Sequence, residues 1–149
     1  MENTLKLIHV LAAIAWFGAG LVRAVLFDRI RSSGDRQRLI TFLEENEFLG
    51  RIYYNIAGIV TLVAGVWLVL ISNWEFSQLW ISIGFVGVIV GIVWGVVFYP
   101  KFQRESLAGL ADGDVADVSE PLSRFALYAN VELVILLVVV WAMVFKPGA

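Results

Sequence analysis

The chain has no cysteine, a single histidine, two methionines and three prolines in 149 residues. Without thiols there is no disulfide framework, thiolate metal site, iron–sulfur cluster or cysteine nucleophile. One histidine excludes a metal centre built on several imidazoles, so no metal site is expected. Charge is also scarce: Asp, Glu, Lys and Arg make up 16% of the residues, and a net charge of −2 offers no basic face for nucleic acid. What is abundant is apolar, at 60% of residues. A soluble domain of this length leaves roughly 30% of its chain surface in water, and that surface cannot be covered with so few charges. The composition therefore predicts an all-α, polytopic membrane protein with residues 1–149 as a single transmembrane domain.

Four apolar runs reach the roughly 20 residues that a helix needs to cross about 30 Å of hydrocarbon. They lie at Leu5 to Phe27, Ile52 to Ile71, Leu79 to Tyr99 and Leu127 to Phe145. None alternates with period two, so an antiparallel four-helix bundle is expected rather than barrel strands. The first run lacks a basic leader and exceeds a signal-peptide core, so it is expected to persist in the mature protein.

Basic residues cluster on one side of these spans. Arg29, Arg31, Arg36, Arg38 and Arg51 follow span one, and Lys101, Arg104 and Arg124 follow span three, whereas the loop Ser72 to Gln78 has none. The positive-inside rule then places both long connections in the cytoplasm and both termini outside. The short loop makes spans two and three antiparallel neighbours, with Trp74 and Trp80 at the outer interface. In the first connection, Ser33-Gly34-Asp35 reads as a helix stop followed by an N-cap. From Asp35 to Glu47 a short amphipathic helix is expected along the membrane surface or against the bundle, with Leu39, Ile40, Phe42 and Leu43 on its apolar face. In the second, Asp112-Gly113-Asp114 reads as a turn, and Ser119-Glu120-Pro121 as an N-cap with proline in the first turn of span four.

Helix association in lipid depends on close backbone approach and on interhelical polar contacts. Gly87, Gly91 and Gly95 form two successive GxxxG steps on span three, extended by Gly84. Ala57, Thr61 and Gly65 repeat that spacing on span two. Such glycines are expected to form packing seams within one bundle; the other reading is a homodimer face on span three.

Ionisable groups inside a span mark a site or a buried pair. Counting helical rise, Arg23 lies about one turn, and Glu132 about two turns, from the cytoplasmic face. The two are expected to meet as a structural pair, with Tyr54 and Asn55 completing their hydrogen bonds; Asn130 lies beside Glu132. Snorkelling of Arg23, or a proton- or ligand-handling role for Glu132, are the alternatives. His9, Trp16 and Arg23 recur every seven residues on one face of span one. His9 is expected as an interhelical hydrogen-bonding group. If it binds a cofactor, Met143 lies at a similar depth, and a His/Met haem site is conceivable.

The residues Leu5-Lys6-Leu7-Ile8-His9, Trp16-Phe17-Gly18, Thr61-Leu62-Val63-Ala64-Gly65 with Trp67-Leu68, Trp80-Ile81 and Met143-Val144-Phe145-Lys146-Pro147 together resemble a bacterial family of predicted integral membrane proteins of unknown function. The resemblance spans nearly the whole chain and implies a bacterial cytoplasmic (inner) membrane location. That family is distantly similar to HemJ-type protoporphyrinogen oxidases and to the membrane domain of copper-resistance D-type proteins. The similarity implies haem b on His9, but the lysine expected after the tryptophan of span three is replaced by Ile81, Ser82, Ile83 and Gly84. Asn130 and Glu132 are also separated by Val131. A copper path normally uses several His, Met or Cys ligands, and this chain has only His9, Met1 and Met143. The expectation is therefore a small structural or accessory membrane subunit without a catalytic constellation or resident cofactor. Its expected partners are the lipid bilayer and either a second copy or a larger membrane complex. The alternative is a haem b-binding redox protein with His9 as axial ligand.

Overall fold

A computed structural model describes residues 1–148, and all of their regular structure is helical. Helix α1 runs over Glu2–Ser33 and ends at Gly34, whose φ of 69° lets its amide turn back to the Arg31 carbonyl. Asp35 then caps α2 (Arg36–Leu49) by accepting from the Arg38 amide at 3.0 Å, so the chain reverses within two residues.

Contrary to the expected break before span two, α2 passes through a π-helical turn at Gly50–Tyr54 directly into α3 (Asn55–Ile71). Gly50 keeps right-handed helical angles, and no proline interrupts the segment, so nothing stops the rod. Of the two expected placements the one against the bundle is found, with Leu39, Leu43 and Asn46 buried there, but the helix is continuous with span two rather than separate from it.

Span three also outruns its expected end. Helix α4 (Leu79–Val93) continues through a second π turn, Trp94–Phe98, into α5 (Tyr99–Asp112). Pro100 accounts for the widened turn: it has no amide to donate, and its ring crowds the carbonyl four residues earlier. Helix α6 (Ser119–Phe145) completes the bundle. Its cap residue is Val118 rather than the expected Ser119, because the Val118 side chain is drawn into the core and covers Gly109.

Four apolar helices, Glu2–Ser33, Arg36–Ile71, Leu79–Asp112 and Ser119–Phe145, are long enough to cross a membrane. Around the bundle, α3 packs mainly on α1, α1 on α6, and α6 on α4. After the loop at Ser72–Gln78, α3 and α4 separate and share few contacts, leaving an opening between spans two and three.

Packing falls into three layers. The thickest, at the end carrying the long connections, joins Phe27, Leu39, Leu43, Phe102, Leu110, Leu122 and Phe125. Arg36 fastens this end by donating to the Leu110, Ala111 and Gly113 carbonyls, the free acceptors that close α5. The middle layer is Trp16 with Ala57, Val88 and Leu136. At the opposite end, Val69, Trp80, Ile81 and Ala142 pack together, with the Lys146 ammonium 4.5 Å from the Trp74 ring centroid. Outside these layers, large apolar side chains such as Val25, Ile59, Val86 and Val134 face outward, as suits a surface solvated by lipid.

Candidate functional site

Arg23, Tyr99 and Glu132 come from three spans and meet inside the bundle. Arg23 Nη2 lies 2.6 Å from Glu132 Oε2, with side-chain exposures of only 5% and 6%. The Tyr99 hydroxyl accepts from Arg23 Nη2 at 3.1 Å and donates to Glu132 Oε2 at 2.5 Å, closing a three-membered ring of charge-assisted bonds. The guanidinium also lies 4.4 Å from the Tyr99 ring centroid and 4.9 Å from that of Tyr54. Arg23 Nε is buried and has no hydrogen-bond partner.

The pairing of Arg23 with Glu132 follows from the helical-rise argument, but the third member does not. Asn55 bonds back to the Arg51 carbonyl on its own helix, and Tyr54 contributes a ring face rather than a hydrogen bond to the pair. Tyr99 supplies that bond instead. It lies at the depth of Arg23, and its place after the π turn re-aims it toward the interior. Asn130 turns outward and lines a groove between α1 and α6 together with Ala24 and Asp28.

The network forms part of the wall of a cleft of about 460 Å³ at the opening between α3 and α4. Both π turns contribute to it, through Gly50 and Tyr54 on one side and Gly95 and Val96 on the other. Such turns inside α-helices recur at functional sites. Two buried amides, Asn46 and Gln103, line the same cleft. Among the described residues, the Gln103 side chain makes one hydrogen bond, a long one of 3.5 Å to the Leu43 carbonyl.

The glycines of span three divide into two groups. Side chains of the same chain cover three of them: Met143 reaches Gly84, Val139 reaches Gly87, and the Trp16 indole lies against Gly91. Gly95 departs from the expected seam, because no atom lies within 4 Å of the position its Cβ would take. The two GxxxG steps thus become one stretch of internal packing, from Gly84 to Gly91, and one open position on the cleft.

His9 is half-buried against span two. Its Nδ1 lies 2.9 Å from the Thr61 carbonyl, and its ring fills the space over Gly65. A carbonyl can only accept, so Nδ1 carries the proton and Nε2 keeps its lone pair. Met143 packs against span three instead, so His9 and Met143 engage different neighbours.

No curated protein and no solved structure matches the chain. Residues 3–147 match the family of predicted integral membrane proteins designated DUF2269, and with nearly the whole length covered the chain belongs to that family.

Proposed function

We propose that this protein is a small accessory subunit of the bacterial cytoplasmic membrane, with both termini outside and its long connections in the cytoplasm. The observation that carries the reading is the Arg23–Tyr99–Glu132 ring. It uses buried charge to join three spans, and fixing helix register is the best-attested use of such buried polar groups. Arginines at 29, 31, 36, 38 and 51 support the orientation, and the outward apolar faces of all four spans suit contact with lipid or a neighbouring subunit.

In-membrane crosslinking followed by native electrophoresis tests the assignment. An accessory subunit migrates in a larger assembly, whether with copies of itself or with other chains, and Glu132→Gln depletes that assembly. Migration as an isolated chain after crosslinking in the intact membrane overturns the proposal. Accessibility of single cysteines placed in the Ser72–Gln78 loop and in the 112–117 turn tests the orientation.

A second reading, haem b held by His9, has one observation in its favour. The bond to Thr61 fixes the tautomer that leaves Nε2 available, as axial histidines require. His9 would be the protein's ligand, and the haem would supply one-electron chemistry; Met143 is committed to the packing over Gly84. A Soret band that disappears in His9→Ala supports it, and a colourless protein purified after haem supplementation removes it.

A further inference from the structure

We propose that the cleft between α3 and α4 is a lateral binding site for a neutral, membrane-soluble molecule with a flat, carbonyl-bearing ring and an apolar tail, the chemistry of an isoprenoid quinone. Four charged side chains line the cleft, Arg23, Glu47, Arg51 and Glu132. They form two ion pairs, Arg23 with Glu132 and Arg51 with Glu47, so their charges cancel. The lining therefore has no net charge, and an anionic head would find each guanidinium already paired with a carboxylate.

Hydrogen-bonding capacity remains nevertheless. It resides in side-chain amides, because Arg23 Nε, although without a partner among the described residues, has no accessible surface and is not reached from the cleft. Gln103 is 2% exposed with one long bond, and the buried Asn46 stands on the same wall. Ring carbonyls match the amide donors of Asn46 and Gln103. Once reduced to hydroxyls, the same ring can donate to the amide oxygens.

The shape agrees with this chemistry. Nothing from the rest of the described structure lies within 4 Å of the Cβ positions of Gly50 or Gly95, so at these two points backbone borders the slot, beside the Tyr54 and Val96 side chains. A planar ring fits between such walls, above the Trp16 indole that fills the space against Gly58 and Gly91. Toward the lipid the lining becomes Ile59 and Val96, which are 56% and 60% exposed, and a tail can leave there between the separating helices. The volume of about 460 Å³ falls within the roughly 300–1,000 Å³ range of small-molecule sites.

Native mass spectrometry of the purified protein in dodecyl maltoside, titrated with decylubiquinone, tests the assignment. The expected result is one saturable adduct per chain that oleate does not displace. Gly95→Leu places a side chain in the open slot and is expected to weaken the adduct at least tenfold while leaving thermal unfolding unchanged. Asn46→Leu is expected to weaken it less. Absence of an adduct on the wild-type chain, equal affinity in Gly95→Leu, or displacement by oleate overturns the proposal; the last outcome would identify an anionic lipid as the occupant.

Discussion

Replacing Glu132 with alanine removes one half of an ion pair whose two side chains are 5% and 6% exposed. The remaining guanidinium keeps a single hydrogen bond, to Tyr99, whose own hydroxyl loses its acceptor. Breaking a buried pair from one side typically costs about 3–5 kcal/mol, because the orphaned charge stays desolvated. The Tyr99 hydroxyl is a smaller contributor, so Tyr99→Phe is expected to cost about 1–2 kcal/mol. Removing both charges in Arg23→Leu/Glu132→Leu leaves no orphan, and the double variant is expected to recover most of the loss. The measurement is unfolding of the purified protein in mixed micelles with increasing SDS, followed by tryptophan fluorescence. A Glu132→Ala variant within about 1 kcal/mol of wild type, or a double variant no more stable than the single, refutes the account of the ring as a buried, mutually dependent unit.

Three further outcomes are expected from the same assay. Gly87→Leu, whose side chain overlaps Val139, should destabilise by roughly 1–3 kcal/mol, while Gly95→Ala, in open space, should be neutral or stabilising by up to about 1 kcal/mol; equal effects would contradict the division of the two glycines. Arg36→Ala should cost about 1–2 kcal/mol by releasing the carbonyls at the end of α5, with Arg36→Lys recovering only part, since an ammonium lacks the guanidinium fork. Asp35→Ala should cost about 1 kcal/mol through loss of the α2 cap, and hydrogen exchange should show the change concentrated in the first turn of α2.

The spans were readable because lipid imposes a length and an apolar composition on any helix that crosses it. Arg23 and Glu132 were readable for a related reason: two opposite charges at similar depth have little choice of partner in hydrocarbon. Gly34 and Asp35 likewise carry their stop and cap in local backbone chemistry. Tyr99 and Gly95 were not readable, because each depends on a π turn, and neither hydropathy nor α-helical spacing encodes one. Pro100 is the only local clue, and it is equally consistent with the helix end that was expected there. Val118 displaced Ser119 as the cap for a tertiary reason, the fit of its side chain over Gly109, which local propensity does not contain. The continuity of α2 with α3 was hidden by composition: charge ends at Arg51 and the apolar run begins at Ile52, which looks like a boundary, although no residue there ends a helix.

A π turn accommodates one more residue than the α-turn it replaces, so it is a place where chain length and side-chain direction can be exchanged. Deleting one residue within Trp94–Phe98 would leave the faces unchanged, whereas closing that segment as α-helix with all of its residues kept would rotate everything beyond it by about 100°. Tyr99 would swing off the Arg23–Glu132 pair while Gly84, Gly87 and Gly91 kept their contacts. The same closure of Gly50–Tyr54 without loss of a residue would rotate α2 relative to α3 and re-aim Asn46. The two halves of each long rod are thus set independently: the half near the Ser72–Gln78 loop by glycine packing, and the half near the long connections by a single-residue insertion that decides which side chains look into the cleft.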